Sequence, residues 1–202
     1  MFIPAPFSIN DNRVITAFLK KNSFGQLFSV HEGRPFATAL PFLYDPTSQR
    51  LACHLAKANP QWKSIESQEI LITIQGEHDY ISPTWYEKGG VPTWNYQLLQ
   101  IYGKARVITD EDTLANMVAT LSEKYEFGRE SSEYGKWNGE YNRKMLKAIV
   151  GLDIEITEIQ CKFKLSQNKT PEDQRTIIEQ LEQEGATALA AEMEKTLFNN
   201  AQ

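Results

Sequence analysis

QLFSVHEGRPFATALPFLYDPTSQRLACHL, residues 26–55, decides the fold class. Two runs of strand-forming residues, Gln26 to His31 and Pro35 to Tyr44, flank Glu32-Gly33, which reads as a hairpin turn. Asp45-Pro46-Thr47-Ser48 is a second turn. Beyond it Arg50 to Leu55 alternates, with Leu51, Cys53 and Leu55 on one face and Ala52 and His54 on the other. Strands joined by tight turns pair antiparallel, because a parallel pair needs a crossover of a dozen residues or more. The stretch therefore predicts consecutive antiparallel strands.

The same pattern continues outward. Glu69 to Gln75 is a strand in which Ile70, Ile72 and Ile74 alternate with Leu71 and Thr73, apolar enough for burial on both faces. GEHDYISPTWYEKGGVPTWNY, residues 76–96, reads as a long loop, and Leu98 to Ile108 as a further strand. Asp110 opens a helix through Leu114, Met117, Val118 and Leu121; Phe127 to Gly139 is irregular; a second helix carries Tyr141, Met145, Leu146 and Ile149. Leu152 to Leu165 is a long strand whose alternation changes phase between Ile156 and Ile159, which predicts a bulge or bend there. Upstream, Asn10 or Asp11 caps a short helix carrying Val14, Ile15, Phe18 and Leu19, and Asn22 ends it. From Thr170 the chain is helical, with a break at Gly185. About six antiparallel strands with helices inserted late predict a small β-barrel with helices, an α+β fold.

Composition narrows the function classes. The 202 residues are 41% hydrophobic and 23% charged, as in ordinary globular proteins. A net charge of −5 does not suit a generic polyanion binder, because non-specific DNA affinity comes from many lysines and arginines. MFIPAPFSINDNR lacks the basic start and apolar run of a signal peptide, and no apolar stretch approaches a membrane span. The two cysteines, Cys53 and Cys161, form no CxxC pair and read as reduced, buried thiols of a cytoplasmic protein. His31, His54 and His78 lie far apart, with no HExxH or His/Cys ligand spacing, so no metal site is expected. GxSxG, Walker A and GxGxxG patterns are absent, and no catalytic nucleophile or acid–base pair is recognisable.

Three segments carry binding chemistry. In HLAKANPQWK, His54 to Lys63, a strand ends at Leu55, Asn59 is a good N-cap and Pro60 suits the first helical position. A helix start presents free N–H groups and the positive dipole end, and His54, Lys57 and Lys63 add donors, so the segment reads as a phosphate cradle. Taken alone, the segment reads more simply as a capped surface helix with solvated lysines, since most capped helices bind nothing. In RPFATALPF, Arg34 to Phe42, Pro41 cannot donate to a ladder, which leaves main-chain groups around Thr38 and Leu40 to meet a planar heterocycle, or makes an edge strand with a bulge. Tyr80, Trp85, Tyr86, Trp94 and Tyr96 crowd one turn-rich stretch; they suit a flat ligand, an interface, or a satellite core under a loop. KFKLSQNK, Lys162 to Lys169, is locally basic, but the helices after it are rich in glutamate, which makes them poor readers of a major groove.

Taken in order, KNSFGQL, RPFATALP, HLAKANPQWK, QGEHDYISPTWY, VPTWNY, IVGLDIEI and KFKLSQN resemble the PaiB-like proteins, FMN-binding negative transcriptional regulators. The resemblance implies an FMN-binding split barrel of the pyridoxamine-phosphate-oxidase type over 1–165, with residues 166–202 as a helical extension packed on it. It implies a homodimer with FMN at the subunit interface. Residues His54, Lys57, Asn59 and Gln61 would take the FMN phosphate; Thr38, Ala39 and Leu40 would line the ring; Trp94 and Asn95 would reach across from the partner. The family reading is a cytoplasmic repressor linked in Bacillus-type bacteria to sporulation and degradative-enzyme genes, with weak and local DNA contact. A flavin-dependent oxidoreductase is the alternative, as is a haem-binding or haem-degrading protein of the same fold, with a histidine as axial ligand.

Overall fold

Glu32 and Gly33 both take positive φ, 50° and 74°, as the tightest hairpin turns require. They join β1 (Phe24–His31) to β2 (Arg34–Pro41), antiparallel from Phe24 opposite Pro41 to His31 opposite Arg34. In this computed structural model residues 1–126 and 140–199 are described, so the expected irregular segment Phe127 to Gly139 lies outside the described residues. β2 stops at Pro41, which has no N–H to give; buried Phe42 instead donates its N–H to Ser23 O (2.7 Å), and β3 (Leu43–Asp45) follows. The run expected as one strand from Pro35 to Tyr44 is thus two. The Asp45 carboxylate accepts from Thr47 N (2.9 Å) and Ser48 Oγ (2.6 Å), closing the turn into β4 (Arg50–Ala56).

β5 (Glu69–Ile81), β6 (Thr93–Ile108) and β7 (Ile149–Lys164) complete a seven-stranded sheet in the order β2-β1-β5-β6-β7-β4-β3. Its end strands are neighbours in the chain and β2 also packs against β4, so this part of the sheet curls toward closure. Ile70, Ile72 and Ile74 are buried while Leu71 and Thr73 are half-buried, so β5 is less covered on its second face than expected. Nearly half of the expected loop at residues 76–96 is strand, and the loop proper is confined to residues 82–92, between β5 and β6. The alternation there was disguised because the inward residues of β6 include the polar Asn95 and Gln97, both buried. In β7, Val150, Leu152 and Ile154 are buried, and then Cys161 and Phe163, so the expected phase change occurs between the two sets.

The helices start where their caps dictate. Asp110 accepts from Thr113 N (2.9 Å) and Oγ1 (2.6 Å) before α2 (Glu111–Glu126). Asp11 accepts from Arg13 N (2.8 Å) at the start of α1 (Asn12–Lys21). α3 spans Glu140–Leu146, and Ile149, expected on that helix, opens β7 instead. Thr170 caps α4 (Pro171–Gln183), Gly185 ends it, and α5 is Thr187–Asn199.

The chain divides into two compact units. The first comprises Met1–Phe18, Ile74–Gln100 and Gln160–Gln202; its core includes Phe7, Ile81, Trp85, Leu99, Phe163, Ile177 and Leu189. The second comprises Leu19–Thr73 and Ile101–Ile159, with Leu27, Phe42, Leu51, Ile72, Ile101 and Leu152 in its core. In the second unit α2 lies so close to β7 that a Cβ on Gly151 would meet Leu114 Cδ2 at 2.9 Å and Met117 Cε at 3.1 Å. No helix among the described residues is long and apolar enough to cross a membrane.

Candidate functional site

Strand β4 runs out at Ala56, and Asn59 turns the chain into a 3-10 helix, Pro60–Ser67. The Asn59 side chain accepts from Gln61 N (3.0 Å), as an N-cap should, although the helix is of the tighter kind. The Asn59 amide then donates to Thr38 Oγ1 (2.9 Å), and Thr38 donates to Gln61 Oε1 (2.7 Å). Gln61 is wholly buried, and its Nε2 reaches Ser29 Oγ (2.9 Å) and the carbonyls of Leu27 (3.2 Å) and Phe36 (3.4 Å). Thr38, Asn59 and Gln61 thus form one closed network that fastens the helix to the β1–β2 hairpin. On the same edge strand Ala39 is exposed and Leu40 is buried. Among the described residues β2 has a hydrogen-bonded neighbour in the sheet on one side only, which leaves its other edge's main-chain groups outside the ladder.

Lys57 and His54 have different surroundings. The Lys57 N–H donates to Ala148 O (2.7 Å), and Lys57 lines a cleft of about 130 Å³ with Thr109, Glu111, Leu114, Lys147 and Val150. Glu111 in this cleft is paired with Arg143 (3.3 Å), so the two lysines dominate the local charge. His54 stands opposite Gly151, and directly paired residues share a face of the sheet, so its ring points toward α2. Its Nδ1 is buried and has no hydrogen-bond partner among the described residues, and burial holds the imidazole below its usual pKa. Leu114 borders both the cleft and Gly151. No spacing rule pointed to Lys147, which lies far away in sequence.

Trp94 and Asn95 belong to the first unit. Trp94 is 53% exposed, and its ring has His78 at 6.4 Å and Tyr80 at 6.2 Å between ring centroids. Asn95 is wholly buried and bonded to Ser166 Oγ (2.9 Å) and Met193 Sδ (3.3 Å). Trp85 and Tyr86 are buried within their own unit, with Lys169 Nζ 4.5 Å from the Tyr86 ring centroid. The aromatic stretch therefore divides into a satellite core around Trp85 and an exposed set around Trp94. The lysines of the basic segment are engaged too: Lys162 lies over the Tyr96 ring (5.3 Å), and Lys164 reaches Thr93 Oγ1 (2.6 Å). A larger groove of about 610 Å³ runs along α4 and α5, past Arg175, Ile178, Glu182 and Phe198, and holds none of the expected residues.

Residues 1–158 match the family described as "Putative FMN-binding domain". The chain belongs to that family. Among its relatives is the protease synthase and sporulation protein PAI 2 of Bacillus subtilis, 38% identical over 91% of this chain and 90% of the relative. Among solved structures, the FAD- and haem-binding protein of Mycobacterium smegmatis superposes with a TM-score of 0.64 at 15% identity, over 82% of this chain and 78% of that one. The flavocytochrome Anf3 of Azotobacter vinelandii gives 0.59 at 20% identity, over 78% and 69%. At such identities the likeness is one of fold. The fold is the expected split barrel with C-terminal helices, and family membership supports a flavin as the cofactor class.

The donor set of this family member suits a phosphate-bearing ligand. Lys57 and Lys147 share a cleft of about 130 Å³, and His54, which does not line it, has a buried Nδ1 with no partner among the described residues. The Asn59, Thr38 and Gln61 side chains satisfy one another, which suits them to hold the segment in shape.

Proposed function

We propose that this chain is a PaiB-like FMN-binding protein that acts as a homodimeric negative regulator of transcription in the cytoplasm. One observation carries it: a sporulation and protease-synthesis protein matches nine-tenths of the chain at 38% identity. In this reading the FMN-binding domain spans residues 1–165 and the helices of 166–202 are its extension. Lys57 and Lys147 hold the phosphate, with His54 beside them; Thr38, Ala39 and Leu40 lie along the ring; Asn59 and Gln61 fix the cradle. Trp94 comes from the partner subunit, and the buried Asn95 beside it anchors the strand that carries it. Flavin supplies redox chemistry or a ligand signal, and the protein supplies orientation and charge. DNA contact is weak and local, because Lys162, Lys164 and Lys169 are already engaged with rings and carbonyls of their own unit.

A second reading, haem, is favoured by His78. Its Nδ1 is 3.1 Å from Gly76 O, an arrangement that fixes the tautomer and leaves Nε2 as the outward ligand atom, beside the exposed Trp94 and Tyr80 rings. The absorption spectrum of the protein as purified decides between the two. The bands of oxidised flavin are expected, with a weak anisotropy signal against duplex DNA that falls only shallowly as salt rises, since few phosphates are neutralised. A haem Soret band lost in His78→Ala would establish the second reading in place of the first.

A further inference from the structure

We infer that Lys164 and Ser166 are positioning residues: they clamp the main chain and flank of Trp94 so that its exposed ring is presented to the flavin. The inference rests on Trp94 being a cofactor contact. VPTWNY and KLSQN lie far apart in the chain, and the structure joins them atom by atom. Lys164 Nζ donates to Thr93 Oγ1 (2.6 Å) and to the Trp94 carbonyl (2.5 Å). One residue on, the Asn95 amide donates to Ser166 Oγ (2.9 Å), and Ser166 Oγ lies 3.3 Å from Asn95 Oδ1. Thr93, Trp94 and Asn95 are thus each gripped by the same short segment.

The segment itself is held in an unusual shape. Ser166 is a non-glycine residue at φ 64° and is buried. A left-handed conformation at such a residue persists only when the surroundings impose it. Gln167 does so: its Oε1 accepts from Leu165 N (2.7 Å) and its Nε2 donates to Phe163 O (2.6 Å), closing the turn around Ser166. Glycine would suit that backbone better, and the serine hydroxyl is what it would lose. The hydroxyl's partner is Asn95, which Met193 of α5 secures from the other side.

The contrast along β6 shows what the clamp is for. Asn95 is wholly buried and Trp94 is 53% exposed. An anchored strand under an exposed ring is pre-organised, because the ordering cost of the segment is met before a ligand arrives. Lys164 is also a half-buried ammonium whose pKa is lowered by burial and by Lys162 and Lys169, and its bonds to Thr93 and Trp94 keep it there.

The test is a double-mutant cycle on the full-length protein, titrated with FMN and read by flavin fluorescence. Trp94→Ala is expected to weaken FMN about tenfold. Lys164→Met is expected to weaken it several-fold alone and not at all in the Trp94→Ala background, since it acts through that ring. Lys164→Arg should recover most of the loss. Ser166→Gly should weaken FMN while leaving the melting temperature within a few degrees, which a purely structural hydroxyl would not do. The clamp is overturned if Trp94→Ala weakens FMN and Lys164→Met and Ser166→Gly do not, or if the Lys164 and Trp94 losses add. If Trp94→Ala leaves FMN affinity unchanged, the cofactor role of Trp94 fails and the clamp falls with it. Should Lys164→Met fail to fold, Ser166→Gly decides alone.

Discussion

Gln61 is a polar side chain with no exposure at all, and its amide group joins β1, β2 and the 3-10 helix. Replacing it by leucine keeps the bulk and removes the donors and acceptor. Ser29, Thr38 and the Leu27 carbonyl would then be left without this partner, at about 3 kcal/mol in total. Gln61→Leu should lower the urea midpoint by the corresponding amount with little change in slope. Asp153 is the second residue on which much depends. Burial works to raise its carboxyl, but hydrogen bonds from Arg50 (2.7 and 2.9 Å) and Arg106 (3.0 Å) outweigh it and hold the pKa below the usual value. A carboxyl lowered in the folded state stabilises above its unfolded pKa, about 3.9, and loses that contribution as pH falls through the folded value. Urea titrations from pH 7 to 3 should show this acid loss in the wild type. Asp153→Asn should be less stable at pH 7 and should lack that part of the loss.

Elements were legible where local chemistry decides them. Asp110, Thr170 and Gly185 mark helix ends as their side chains or backbone freedom require, and Glu32-Gly33 makes the hairpin. The stretch at residues 76–96 was misleading because Asn95 and Gln97 face inward, and a polar residue breaks the apolar alternation unless its buried partners are known. Those partners, Ser166 and Glu192, are remote in sequence. For the same reason the Asn59 cap could be read from Asn-Pro, whereas Lys147 beside Lys57 could not. The α2–β7 packing is likewise a long-range fit, and it rests on Gly151. Gly151→Val should force Leu114 and Met117 away and destabilise by about 1–3 kcal/mol. Hydrogen exchange should report the change, with α2 amides losing protection first.

At the scale of the molecule, two properties bear on whether this chain is a working flavoprotein: pairing with a second copy, and capture of a phosphate. Trp94, Tyr80 and Val91 are exposed large side chains of the first unit, and they form the part of the aromatic stretch left for a partner once Trp85 is seen to be internal. Light scattering should therefore give twice the 23.1 kDa chain mass. The phosphate can be separated from the ring by chemistry alone. FMN and riboflavin share the isoalloxazine, so contacts to the ring favour both equally, and only FMN offers a dianion to the Lys57–Lys147 cleft. Charge-assisted hydrogen bonds are worth about 1.5–3 kcal/mol each, so losing one lysine should weaken FMN roughly tenfold or more. Lys57→Ala and Lys147→Ala should each show that loss in calorimetry and leave riboflavin nearly unchanged. Because Lys57 also holds Ala148 through its main chain, which the substitution keeps, neither variant should lose its fold. Equal affinities of the wild type for FMN and riboflavin would sink the phosphate cradle and leave Asn59 as the cap of an ordinary surface helix.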